Sequence, residues 1–210
     1  EGMRLLAGMS ADLTPEENSN TLQEWSMVQA GDTWSTLLEK FRHPETIKNK
    51  ELDEELKATL RPYQEIGANS LDFLTELRLG ACLADDMGLG KTAQTLAHIL
   101  MEKQAGQLVQ KPALIIAPTS LMYNWLREAQ KFTPDLKVLV LQGQYRHHDF
   151  DNIPQYDIVL STYPLLVRDE EVLQKHQYHL LILDEAQNIK NPRAKASQVV
   201  RQLDATHRLC

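Results

Sequence analysis

The sequence predicts an α/β fold, a parallel β-sheet with helices on both faces, preceded by a small and mainly helical N-terminal segment. Three observations carry this. From residue 60 onward, short β-rich runs alternate with longer stretches of helical spacing, the pattern of strand and crossover-helix units. The runs are continuously apolar, as strands covered on both faces are. A content of 42% apolar residues with 9 Gly and 9 Pro leaves material for a sizeable core and excludes a low-complexity chain.

Residues 1–56 form an acidic extension. Residues 1–60 hold 6 Lys+Arg against 12 Asp+Glu, whereas 61–210 hold 16 against 17. Trp34, Leu37, Leu38 and Phe41 have helical spacing, Trp25 lies just before them, and Pro15 and Pro44 bracket the stretch. A small helical segment leaning on the main domain is the simplest expectation, and a protein partner bound through residues 1–56 is the alternative. Residues 57–210 are expected to form the main domain. Its near-neutral charge argues against a protein that coats DNA, though not against one that grips phosphates with a few placed donors.

The elements follow in order. Pro62 suits the first position of a helix, where its missing N–H costs nothing. The predicted strands are Ala81 to Ala84, Ala113 to Ala117, Val138 to Leu141, Asp157 to Leu160 and Leu180 to Leu183, with His207 to Cys210 as a sixth. Thr92 to Glu102, Leu121 to Lys131 and Ala194 to Leu203 carry helical spacing. The longest apolar runs are about five residues, far short of the roughly 20 that span a bilayer. Two cysteines, Cys82 and Cys210, give neither a disulfide scaffold nor a zinc spacing.

Between the first predicted strand and its helix stands Asp85-Asp86-Met87-Gly88-Leu89-Gly90-Lys91-Thr92. Glycines let successive N–H groups turn toward phosphate oxygens, and the helix amino end adds partial positive charge. Lys91 then reaches the outer phosphates and Thr92 offers a hydroxyl to Mg²⁺. A strict phosphate loop has Gly where Asp85 stands. A second site is expected where Leu180 to Leu183 ends in Asp184-Glu185, because strand carboxyl ends are where open α/β sheets bind ligands. Asp184 would hold Mg²⁺ and Glu185 would orient and polarise the attacking water.

Leu60-Arg61-Pro62-Tyr63-Gln64, Asp85 to Thr92, Ala117-Pro118-Thr119-Ser120 with Asn124-Trp125, Ser161-Thr162-Tyr163, and Asp184-Glu185-Ala186-Gln187-Asn188-Ile189-Lys190-Asn191 occur in one order. Over roughly residues 58 to 210 this resembles the Swi/Snf-type ATPases, double-stranded DNA translocases of helicase superfamily two. Asp85 followed by Met-Gly-Leu-Gly-Lys-Thr is similar to that family's own loop. Many relatives have His where Gln187 stands. The resemblance implies the first RecA-like lobe of an ATP-hydrolysing motor with ATP and Mg²⁺ as cofactors. It implies that Gln64 reads adenine with Arg61 near the nucleotide, and that Asp86, Met87, Gly88, Leu89, Gly90, Lys91 and Thr92 cradle phosphates. Double-stranded DNA would be met through its backbone by Pro118, Thr119, Ser120, Asn124, Trp125, Ser161, Thr162 and Lys190. Relatives continue the last strand into a Leu-Thr-Gly-Thr-Pro type motif and a second lobe whose arginines complete the ATP site, so the chain reads as a piece of a longer motor.

Competing readings are weaker on the residues. A GTPase wants Asn-Lys-x-Asp after a strand, and Asn49-Lys50-Glu51-Leu52 lacks the Asp and precedes the loop. A nucleotide-gated interaction module is the non-enzymatic rival. His147-His148-Asp149 and His176-x-x-His179 read as a polar loop and a turn before a strand, not as metal ligands. The lack of a Lys/Arg-rich targeting run points to a bacterial, cytoplasmic and nucleoid-associated protein over a nuclear one.

Overall fold

The computed structural model describes residues 60–85 and 89–210, together with Ile47 and Leu56. The chain divides into two units, Glu1–Lys48 and Asn49–Cys210; the described architecture belongs to the second. The helical segment expected around Trp25, Trp34 and Phe41 lies outside the described residues, as do Asp86, Met87 and Gly88.

Five strands make a parallel sheet in the order β2-β3-β1-β4-β5: β1 Ala113–Ala117, β2 Val138–Val140, β3 Ile158–Thr162, β4 Gln177–Leu183 and β5 Asp204–Leu209. β1 lies at the centre, with Ala113 registered against Ile158 on one side and Leu180 on the other. All five of its residues are buried, which explains the unbroken apolar run. Its side chains divide by the two-residue period of a strand. Ala113, Ile115 and Ala117 pack with Leu96, Leu100 and Trp125 on one face, whereas Leu114 and Ile116 pack with Leu166, Val199 and Val200 on the other. Each fully buried Leu or Ile contributes about 1.5–3 kcal/mol.

The longer helices are α1 Pro62–Glu76, α2 Lys91–Gln104 and α3 Met122–Phe132. Two short ones follow β3, α4 Tyr163–Arg168 and α5 Glu170–Leu173, and α6 Lys195–Gln202 precedes β5. α1 begins at Pro62, and the Arg61 N–H donates to Gln64 Oε1 at 2.9 Å. α1 and α2 approach closely through Ala68, Ala93 and Ala97. A Cβ on Gly67 would stand 1.9 Å from Gln94 Oε1, so any other residue there would displace the Gln94 side chain.

Two expectations are corrected. Ala81 to Ala84 is not a strand buried on both faces. It lies beyond β5 as a single bridge to Leu209, with Cys82 and Ala84 exposed. Its pairing has one side only: Ala81 N–H donates to Arg208 O and Leu83 N–H to Cys210 O. His176-x-x-His179 is not wholly a turn before a strand. β4 starts at Gln177, and His179 is 5% exposed within it.

Candidate functional site

Gly90 caps α2 with φ +78°, and a Cβ there would stand 2.4 Å from Gln64 Nε2. The left-handed turn lets the loop end where the helix begins. Two residues of α1 hold it from the side, since Tyr63 Oη and Gln64 Nε2 donate to Leu89 O at 2.9 and 3.0 Å. Gln64 thus spends one donor and one acceptor on the scaffold, through Leu89 O and the Arg61 N–H. An amide carries a second N–H and a second lone pair beyond these two bonds. Lys91 Nζ donates to Asp85 O at 2.6 Å, and Gln94 Nε2 donates to Asp85 Oδ2 at 2.8 Å. Asp85, the departure from the strict loop pattern, therefore ties the loop to its own helix.

Asp184 follows β4 at the carboxyl edge of the sheet, its N–H donating to Ile116 O at 2.9 Å. Two further elements fix it. Trp125 Nε1 of α3 donates to Asp184 Oδ2 at 2.8 Å, and the Tyr163 hydroxyl of α4 donates to Asp184 O at 2.7 Å. Burial, then the charge of Asp184, push the Tyr163 phenol well above its ordinary range, which keeps it a donor. Glu185 has φ +53°, a conformation costing a non-glycine residue about 1–2 kcal/mol and typical of functional sites. Asn188 Nδ2 donates to its carbonyl at 2.7 Å, and Gln187 Nε2 donates to its Oε2.

These pieces border one cleft of about 290 Å³, lined by Asp85, Lys91, Thr92, Trp125, Asp184, Glu185 and Gln187 among others. A cation at a helix amino end, a hydroxyl and two carboxylates are the donor set of a Mg²⁺-nucleotide site. The residues fit the group. Thr92 and Asp184 would hold Mg²⁺, and Lys91 would exchange the Asp85 carbonyl for phosphate.

The residues expected at DNA separate into two groups. Thr119 and Ser120 are exposed in a 3₁₀ turn after β1, Pro118 is half-buried beside them, and Lys190 is exposed after a second 3₁₀ turn, Ala186–Ile189. Asn124 is half-buried, its amide donating to Glu128 Oε1 at 2.9 Å. Trp125, Ser161 and Thr162 are buried, at 4%, 0% and 2% exposed. Trp125 turns to Asp184 because its helix packs its apolar face on β1. Ser161 and Thr162 end a central strand, and Thr162 caps α4 by accepting from Leu165 N–H at 3.4 Å.

Sequence reasoning missed Tyr63, Asp85, Gln94 and Tyr163 as supports of the site. Tyr63, Asp85 and Tyr163 lay inside motifs already singled out, so the signal was present; Gln94 gave none. It also missed that Cys82 and Cys210 face one another, since Cys210 N–H donates to Ala81 O and its carbonyl accepts from Leu83. Burial first, then Cys82, raise the Cys210 thiol.

Comparison with known proteins gives a consistent answer. The model of the SNF2-related domain matches residues 26–210. The chain is 44% identical over 177 residues to the putative ATP-dependent helicase/translocase YwqA of Bacillus subtilis, covering 83% of this chain and 19% of that protein. It is 38% identical over 160 residues to the ISWI chromatin-remodeling complex ATPase ISW1 of Saccharomyces cerevisiae, covering 71% and 14%. The solved Sulfolobus solfataricus SWI2/SNF2 ATPase core in complex with dsDNA superposes with TM-score 0.72 at 40% identity, covering 77% of this chain and 33% of that one. The chain spans less than a fifth of the length of these curated relatives. With the family model matched over residues 26–210 and five parallel strands that superpose on that core, the chain belongs to the SNF2-related family and has the RecA-like fold of its ATPase core.

Proposed function

We propose that this domain is the ATP-binding and hydrolysing first lobe of an ATP-dependent double-stranded DNA translocase. One observation carries the reading: Lys91, Thr92, Asp184 and Glu185 converge on a single cleft at the carboxyl edge of the sheet. Lys91 and the α2 amino end bind the phosphates, with the loop residues Asp86, Met87 and Gly88 completing the cradle. Mg²⁺, held by Thr92 and Asp184, neutralises charge developing on the phosphate oxygens. Glu185 polarises the attacking water, while Gln64, with Arg61 beside it, discriminates the base.

Exposed Thr119, Ser120 and Lys190, with half-buried Pro118 and Asn124 beside them, are the candidate contacts to DNA. Hydroxyl, backbone and lysine groups bind phosphate without reading bases, as a motor on any sequence requires. The dsDNA in the archaeal neighbour supports this assignment. A second lobe in the parent chain supplies the remaining cationic groups. Residues 1–56 form a separate acidic extension suited to a protein partner, and 57–210 form the lobe. The bacterial relative supports a cytoplasmic, nucleoid-associated setting, and no helix among the described residues is long and apolar enough to cross a membrane.

The test uses the full-length parent. Glu185→Gln should leave Mg-ATP binding nearly intact and abolish turnover, because it removes the polarising charge and keeps the cradle, whereas Lys91→Ala should weaken binding itself. Equal nucleotide affinities of the two variants, or equal affinity of the unmutated protein for ATP and GTP, would overturn the division of roles.

A further inference from the structure

A second polar centre lies on the far part of the helix that carries Lys91. Asp72 of α1 and His98 and Glu102 of α2 each offer a ligand atom, all within 4.8 Å of one another. They are 4%, 0% and 5% exposed. His98 and Glu102 stand four residues apart, on one face of the helix. Glu102 is about 16 Å along the axis from Lys91, so this centre is separate from the nucleotide cleft.

We propose that Asp72, His98 and Glu102 bind a divalent cation of the zinc class, which ties α1 to α2. The first argument is the donor set. One imidazole and two carboxylates suit Zn²⁺ or Co²⁺ and not Mg²⁺, which takes oxygen and water.

The second argument is how the ligands are oriented. Thr75 Oγ1 donates to Leu71 O at 2.9 Å, so in its 3.3 Å contact with His98 Nε2 it accepts. That places a proton on Nε2 and leaves the lone pair of the neutral ring on Nδ1. Metal-ligating histidines have this arrangement, with the other ring N–H fixed by an acceptor. Glu102 is held in the same way from the sheet, because His179 Nε2 of β4 bonds its Oε2 and leaves Oε1 free to ligate.

The third argument is an unspent acceptor beside the site. His207 of β5 is 7% exposed, and its Nδ1 is buried with no hydrogen-bond partner. Its ring meets that of His179 edge-on at 5.0 Å. Both line, with Glu102 and Thr75, a cavity of about 380 Å³ that opens to solvent and reaches the site on its Glu102 side. Zinc takes N and O donors at about 2.0–2.2 Å. Donors within 4.8 Å of one another therefore need only a small inward shift by side-chain rotation to reach that distance.

The experiment is titration of the chelator-stripped 210-residue chain with Co²⁺, without nucleotide, read by ligand-field absorption and equilibrium dialysis. One saturable equivalent is expected, displaced by Zn²⁺ and raising the unfolding temperature. Glu102→Gln and Asp72→Asn should weaken it at least about 100-fold, and His179→Ala about 10- to 100-fold through the lost orienting bond. Lys91→Ala and Cys82→Ser should leave it unchanged. Absence of a saturable equivalent in the unmutated chain, survival of binding in both carboxylate variants, or loss on Cys82→Ser would overturn the proposal. Should the carboxylate variants fail to fold, the His98 ring proton resonances of the unmutated chain decide: they shift on adding one equivalent of Zn²⁺, and unmoved resonances overturn the site.

Discussion

Asp184 is held by groups from three elements. The Trp125 bond orients its carboxylate at the edge of the cleft, and the Tyr163 bond fixes the backbone behind it. Trp125→Phe keeps an aromatic ring against β1 and removes the N–H. In the full-length protein it should lower Mg²⁺-dependent ATP turnover about 10- to 100-fold, the usual cost of losing an outer partner of a metal ligand. The Mg²⁺ concentration for half-maximal rate should rise while metal-free nucleotide binding holds. A Mg²⁺ dependence unchanged from the parent would show that Asp184 is positioned without this bond.

At the scale of elements, a buried ion pair joins the 3₁₀ segment Tyr145–Gln155 to the junction of α4 and α5. Arg146 Nε and Nη2 each donate to Asp169 at 2.7 Å, with both side chains under 5% exposed. Asp169 in turn raises the Arg146 guanidinium above its already high range. Arg146→Ala leaves a buried carboxylate uncompensated and should cost about 3–5 kcal/mol, read from the urea unfolding midpoint.

The turn before β4 carries a pH signal. Burial, the largest influence, lowers the His176 pKa below its ordinary 6.5, with Asp151 opposing and Lys175 assisting. The folded state then binds fewer protons than the unfolded chain, so this contribution is complete above pH about 6.5 and is lost as pH falls toward the folded value. His176→Asn should flatten the slope of unfolding free energy against pH in that window. A slope equal to the parent's would assign the effect to other groups.

For the whole molecule, the relevant fact is that the chain spans less than a fifth of its curated relatives and a third of the solved core. Charge on the γ-phosphate in the transition state calls for cationic donors beyond Lys91, and an arginine finger is worth about 10³ to 10⁵ in rate. The 210-residue chain should therefore bind ATP and release phosphate barely above background. It should also grip duplex DNA poorly, because each missing phosphate contact lowers both affinity and its salt dependence. Phosphate release with and without duplex DNA checks both expectations; robust DNA-stimulated turnover by this chain alone would end the two-lobe reading.

Periodicity and turn chemistry are local, so the sequence by itself determined the parallel α/β class, the helix start at Pro62, the loop leading to Lys91 and the carboxylates ending β4. Continuous apolar character marked Ala113 to Ala117 as doubly covered, and the fold buries it at the centre. The same signal misplaced Ala81 to Ala84, because an apolar run does not say how many neighbours it pairs with. Which side of a motif residue faces the core is likewise a tertiary matter. Trp125, Ser161 and Thr162 resemble nucleic-acid contacts in a linear reading, yet they sit where α3 and β3 pack inward. His98, Glu102, His179 and His207 are scattered over 110 residues; only the parallel register of β4 with β5, and the packing of α2 across them, brings their rings and carboxylate together.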